Sequence, residues 1–181
     1  MANTLTLQHL LYKEFLSHVD VSDTTAQVTL PDGFSYYSRK EPGQEYKLHC
    51  RRAMHGRHEE HVYLNENEFV DVTNPNFFHC GFIRHSPCGR WICFGIDTSG
   101  QEHYVGHFIN LQESPCVVLK DKIEAMHIDV EFSRCGHYVY YIEIGEQERA
   151  YKVFRKRINA PDEPPLYIFL IFFECHQRAQ V

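Results

Sequence analysis

Cys88-Gly89-Arg90-Trp91-Ile92-Cys93-Phe94 is the stretch on which the fold is decided, because its pattern occurs three times. Asp32-Gly33-Phe34-Ser35-Tyr36-Tyr37-Ser38 precedes it and Cys135-Gly136-His137-Tyr138-Val139-Tyr140-Tyr141 follows it. A second signature comes 13 to 15 residues after each glycine: Tyr46-Lys47-Leu48-His49, Tyr104-Val105-Gly106-His107 and Tyr151-Lys152-Val153-Phe154. The glycines are 56 and 47 residues apart, near the period of roughly 40–50 residues that one propeller blade occupies. A unit of turn, strand, loop and strand cannot bury its own apolar face, so it must pack on its neighbours. The expectation is a mainly β chain of about three β-propeller blades, preceded by one α-helix.

The turns support this reading. In Ser86-Pro87-Cys88-Gly89 the proline presets φ at the second position and the glycine takes the left-handed corner. Ser133-Arg134-Cys135-Gly136 keeps the serine and the glycine and drops the proline. Such residues shape a fold and need do no chemistry.

Working outward, Leu7, Leu10, Leu11, Phe15 and Val19 recur near helical spacing, which predicts one amphipathic helix within residues 1–20. Residues 20–32 read as polar connection ending in Pro31-Asp32-Gly33. Strands are expected at 34–39, 45–51 and 61–65, then, in a unit that runs from Ile83, at 91–96, 103–110 and 117–119, then at 128–132, 138–144 and 149–158. Residues 69–82 read as irregular. The organisation is therefore an N-terminal helix (1–20), a partial propeller (21–160) and a Pro-rich hinge with a divergent apolar tail (161–181). Within that tail, residues 166–173 are apolar enough to aggregate unless paired or covered.

Composition narrows the function. A net charge of −6 over 181 residues supplies no dense basic face, which argues against nucleic acid as a partner. Seven cysteines are an odd number without framework spacing, reading as free structural thiols in a reducing compartment. No basic segment followed by an apolar run stands at the N-terminus. The longest apolar run, 166–173, is eight residues, against about 20 for a bilayer span. A soluble cytoplasmic protein is expected, with no membrane partner.

Candidate chemistry is sparse. Serine hydrolysis on an α/β-hydrolase scaffold uses G-x-S-x-G on a strand-to-helix turn. The nearest string, Gly33-Phe34-Ser35-Tyr36-Tyr37, has tyrosine where the second glycine must be and falls in an expected strand. His55, His58 and His61 invite a metal reading, but His58 and His61 are three apart and lack the H-E-x-x-H spacing. Cys80, Cys88 and Cys93 form no C-x-x-C knuckle. Lys152, Arg155, Lys156 and Arg157 read as the solvated edge of a strand, given the nearby Glu143, Glu146, Glu148, Asp162 and Glu163. Residues 138–141 read as core packing, because propeller strands bury alternate residues. No catalytic, cofactor-binding or metal-ligating residue is assigned, and no cofactor is expected.

With these residues in view, the sequence resembles the prolyl oligopeptidase family of serine peptidases, and within it the oligopeptidase B branch. The resemblance is carried by Tyr36-Tyr37-Ser38-Arg39, Gly43 and Tyr46-Lys47-Leu48-His49-Cys50-Arg51-Arg52. It continues through Glu59-Glu60-His61-Val62-Tyr63-Leu64-Asn65, Ser86-Pro87-Cys88-Gly89-Arg90, Asp97-Thr98-Ser99-Gly100-Gln101-Glu102-His103-Tyr104 and Tyr151-Lys152-Val153-Phe154-Arg155. It implies a place in the seven-bladed propeller that caps an α/β-hydrolase domain. Cys88 and Cys135 stand where the family's blade turns usually carry Asp, which implies loss of the usual side-chain cap. The chain begins inside the family's N-terminal region, ends after about three blades, and ceases to resemble the family from Phe169.

Two functions follow. The first is the N-terminal propeller portion of an oligopeptidase B-like serine peptidase, truncated by nature or by an incomplete gene, with a C-terminal α/β-hydrolase catalytic domain as its partner. The resemblance implies that the full-length enzyme cleaves short peptides after Arg or Lys, and that the propeller restricts their access. The second is a stand-alone, non-catalytic interaction module that completes its open sheet edge with a partner or a second copy, using residues 166–173.

Overall fold

The computed structural model describes residues 4–18, 23–56, 59–70, 77–144 and 150–170. They divide into two compact units, Met1–Phe69 and Val70–Val181.

The first unit opens with helix α1, Leu5–His18, in which no residue is buried. The expected helix forms, and Leu7, Leu10, Leu11 and Phe15 remain exposed along it. Its sheet has the order β1 (Val28–Thr29), β2 (Phe34–Arg39), β3 (Leu48–Ala53) and β4 (Glu60–Asn65), all antiparallel. Strand β1 lies in the stretch expected to be connection. Its approach is fixed by Thr25, whose amide donates to the Ser38 carbonyl (2.8 Å) while its hydroxyl accepts the Ser38 amide (2.9 Å). Strand β3 begins at Leu48 rather than 45. The amides of Tyr46 and Lys47 are taken instead by Asn67 Oδ1 and Glu66 Oε2, both at 3.2 Å. Tyr37, Leu48 and Cys50 form this unit's small core cluster.

The second unit holds two sheets of the same design. One has the order β5 (His79–His85), β6 (Trp91–Asp97), β7 (Tyr104–Asn110) and β8 (Val117–Met126). The other is built from β9 (Val130–Phe132), β10 (Tyr138–Ile144), β11 (Ala150–Arg157) and β12 (Leu166–Leu170), in the order β12-β11-β10-β9. Every residue of β6 is buried, as suits a central strand rich in aromatic and β-branched side chains. Strand β5 starts at His79, inside the stretch expected to be irregular, with a bulge between Cys80 and Phe82. Strand β8 runs on to Met126, well beyond Leu119, because Asp121, Ile123 and Met126 turn inward while Lys122 and Glu124 face out. Leu166–Leu170, inside the stretch set apart as a tail, pairs with β11 as the fourth strand of its sheet. Residues 171–173 and residues 145–149, between the strands expected at 138–144 and 149–158, lie outside the described residues.

One hydrophobic cluster joins these two sheets. It includes Phe82, Trp91, Cys93, Tyr104 and Phe108 from one, and Val130, Val139 and Tyr141 from the other. Strand β10 alternates as expected, with Val139 and Tyr141 buried and Tyr138 and Tyr140 half-buried.

The repeat glycines all occupy the left-handed region, Gly33 at φ +84°, Gly89 at +66° and Gly136 at +72°, where any other L-residue is strained. In the first turn Asp32 Oδ1 caps the Phe34 amide at 3.1 Å. In the other two turns, where Cys88 and Cys135 stand at the place of Asp32, a serine hydroxyl holds the next amide along. The hydroxyl of Ser86 accepts the Trp91 amide (2.8 Å), and that of Ser133 accepts the Tyr138 amide (3.1 Å). These serine bonds reach the second residue after the glycine, whereas the Asp32 bond reaches the first.

Candidate functional site

The most strongly built polar feature is an ion pair between two blades of the second unit. Lys156 on β11 places Nζ 2.8 Å from Asp121 Oδ1 on β8, and the side chains are 5 % and 3 % exposed. Asp121 Oδ2 also accepts the Ala160 amide at 3.2 Å, tying down the chain that leaves β11. The basic cluster is thus not a solvated edge. Strand β11 is flanked by β10 and β12, Lys156 is buried against Asp121, and Arg155 lies over the Tyr138 ring at 4.7 Å. Only Arg157 keeps the expected exposed character, 3.7 Å from Glu163.

This pair forms part of the wall of a hollow of about 620 Å³, together with Tyr141, Glu143, Glu124, Asp162, Glu163 and the prolines at 161, 164 and 165. Carboxylates outnumber the amines of Lys120, Lys122 and Lys156 there, so the hollow is electronegative. Burial, reinforced by Glu143, pushes the Tyr141 hydroxyl up to about 12, so it stays protonated as a donor. The ion pair satisfies itself, and its chemistry is that of a clamp between blades.

A second group spans β2 and β4 of the first sheet. Glu60 accepts from the Tyr37 hydroxyl and from Arg39, whose Nη2 is 2.8 Å from Glu60 Oε1. The Arg39 guanidinium, helped by the Tyr37 hydroxyl and working against burial, holds Glu60 below the usual carboxylate range. Burial and the Glu60 hydrogen bond push Tyr37 up to about 12. His49 Nε2 lies 2.6 Å from Glu66 Oε1 on the same unit. In the second unit, Asp97 ends β6 almost wholly buried. Burial alone would raise its carboxyl, but hydrogen bonds from Ser99, Gly100 and Glu102 outweigh it and lower the pKa.

The residues singled out in the sequence do not converge. Ser35 lies within β2, buried, donating to Gln27 Oε1 at 3.2 Å. His61 is on β4 and His55 lies in the exposed bend before it, while His58 is outside the described residues. Cys80 is half-buried, Cys88 exposed and Cys93 wholly buried, where desolvation drives its thiol pKa far up. Among the described residues no group of three or more His, Cys, Asp or Glu is placed to hold a metal. No helix among them is long and apolar enough to cross a membrane. Sequence reading missed Asp121. Its signal was the alternation Leu119, Asp121, Ile123, which puts an aspartate at an inward position of a strand.

Four-stranded antiparallel sheets in succession, each carrying the same glycine turn, are the blades of a β-propeller. The family model described as the N-terminal beta-propeller domain of prolyl oligopeptidase matches residues 1–169, and the chain belongs to that family. Protease 2 of Moraxella lacunata is 25 % identical over 172 aligned residues, with 90 % of this chain and 24 % of that protein covered. Oligopeptidase B from Leishmania major shares the fold with a TM-score of 0.81 at 21 % identity, covering 94 % of this chain and 24 % of that one. Oligopeptidase B from Trypanosoma brucei, in a closed form with covalently bound antipain, gives 0.77 at 24 % identity over 93 % and 23 %. The chain spans about a quarter of the length of these relatives.

Proposed function

We propose that this chain is the propeller portion of an oligopeptidase B-like serine peptidase in the cytoplasm. Its role is to restrict access to an α/β-hydrolase catalytic domain, on the same polypeptide or a separate one, so that only short peptides enter and are cleaved after Arg or Lys. The observation that carries this is the match of the propeller family over residues 1–169, reinforced by a relative whose name is that of a protease. The covalent antipain held by the T. brucei relative fits a peptide ligand. The nucleophile belongs to the catalytic domain, since no G-x-S-x-G string occurs among these 181 residues.

One observation favours the second reading, a non-catalytic interaction module. Strand β12 pairs with β11 on one side, and Leu166, Tyr167, Ile168 and Phe169 are exposed along it. The test is immunopurification from the source cells, followed by labelling with a fluorophosphonate, which reacts with activated serine. A labelled species well above 21.4 kDa, or a labelled chain that co-purifies, together with hydrolysis of Arg and Lys amides, supports the peptidase. An unlabelled native species of 21.4 kDa, bound to another protein or to itself, supports the module.

A further inference from the structure

We propose that Cys88 and Cys135 form a peroxide-responsive thiol pair that closes a disulfide between the glycine turns of the second and third blades. The two turns are equivalent in sequence and in hydrogen bonding: Gly89 donates to the Ser86 carbonyl at 3.0 Å, and Gly136 donates to the Ser133 carbonyl at 2.8 Å. They also touch. A Cβ built on Gly136 would fall 2.5 Å from Cys88 Sγ and 3.3 Å from Cys88 Cβ. The Cys88 side chain therefore lies on the bare Cα of the residue next to Cys135, whose own Cα is about 3.8 Å further along the chain.

Both thiols are exposed, whereas Cys50 and Cys93 are buried. Ser86 and Ser133 cap the Trp91 and Tyr138 amides, so these two turn bonds do not depend on either cysteine. Each Sγ rests near its serine hydroxyl, at 3.4 Å for Cys88 and 3.3 Å for Cys135. The Ser133 hydroxyl and the His137 amide favour the Cys135 thiolate, lowering its pKa. A more populated thiolate at an exposed site is the more reactive nucleophile.

The oxidant is a hydroperoxide. Cys135 sulfur attacks one peroxide oxygen, the O–O bond breaks, and the leaving hydroxide takes up the thiol proton as water, leaving a sulfenic acid. Cys88 sulfur then attacks Cys135 sulfur, the S–O bond breaks, and a second water leaves with the Cys88 proton. Two thiols and one peroxide become one disulfide and two waters. A dithiol reductant reverses the step by exchange.

The test treats the full chain, without denaturant, with stoichiometric hydrogen peroxide and maps the disulfides by non-reducing tryptic mass spectrometry. The expected product is peptide 85–90 joined to peptide 135–149, two hydrogens lighter than the sum and released by dithiothreitol. In the Cys88→Ser variant Cys135 loses its resolving partner, so dimedone should label it several-fold more than in the parent. Oxidation that yields Cys88 and Cys135 in separate adducts, or joined to other cysteines, overturns the proposal. So does dimedone labelling of Cys135 that is unchanged by Cys88→Ser.

Discussion

Lys156 Nζ and Asp121 Oδ1, brought together from two neighbouring blades, are 2.8 Å apart with both side chains out of water. A buried pair of this kind adds little over an apolar pair of equal volume, but breaking it strands a charge. Asp121→Ala is expected to cost about 3–5 kcal/mol. The double change Asp121→Leu with Lys156→Met removes both charges and should recover most of that loss. Urea midpoints of the parent, both single variants and the double variant read the coupling directly. A loss below about 1 kcal/mol for Asp121→Ala would mean that water reaches the pair.

Gly95 in β6 faces the Phe82 ring across the β5–β6 pairing. An alanine Cβ there would fall 2.1 Å from Phe82 Cε1, deep inside contact distance. The ring belongs to the main cluster and has little room to move, so Gly95→Ala should destabilise by about 1–3 kcal/mol. Adding Phe82→Leu removes the clashing ring edge and should make the alanine less costly than it is alone. If denaturation midpoints show the two changes simply adding, the clash is not between these two residues.

The central strands were legible because they are rich in aromatic and β-branched residues and follow glycine turns that recur at a similar spacing. Trp91–Asp97 and Tyr138–Ile144 are of this kind. Among the outer strands, Glu60–Asn65 and Val130–Phe132 were also legible, whereas two others were not. Val28–Thr29 sits in polar sequence, and the second half of Val117–Met126 reads as a run of charges, because an edge strand needs few apolar side chains and gains solubility from charged ones. The Asp121–Lys156 pair was hidden for a related reason: a carboxylate and an amine that find each other across two blades look, in sequence, like ordinary surface residues. The serine caps went unnoticed because each sits two positions before its cysteine and holds the amide one residue beyond the one that Asp32 holds in the first turn.

The two serine caps should differ in worth. Ser86 is 4 % exposed and receives an amide from a buried tryptophan, so Ser86→Ala leaves a buried donor without its partner and should cost about 1–3 kcal/mol. The Ser133 turn is closer to water, which can substitute, and Ser133→Ala should cost less, about 1 kcal/mol. Ser86→Thr retains the hydroxyl and should fall between alanine and the parent. Equal losses for the two alanine variants, measured by chemical denaturation, would show that burial does not set the value of this cap.

His107 on β7 supplies a pH dependence whose sign can be worked out. Its ring stacks on Phe94 at 5.3 Å between centroids. Burial, with the Lys122 ammonium opposite on β8 and only partial compensation from Glu124, holds its pKa below the ordinary value. Above pH about 6.5 the ring is neutral in both folded and unfolded chains and contributes no slope. Below that the unfolded chain takes up a proton that the folded chain refuses, so stability falls as pH falls, by at most about 1.4 kcal/mol per pH unit. The slope from this group ends once the pH passes below the folded-state pKa. His107→Gln should therefore flatten the stability profile between pH about 6.5 and that point relative to the parent, the other histidines contributing equally to both. Lys122→Met, by removing the repelling charge, should move the onset of proton uptake in the folded chain to higher pH and narrow the same window. Parallel profiles for the parent and His107→Gln from pH about 7.5 to about 5 would mean that the ring takes up its proton in the folded chain without penalty.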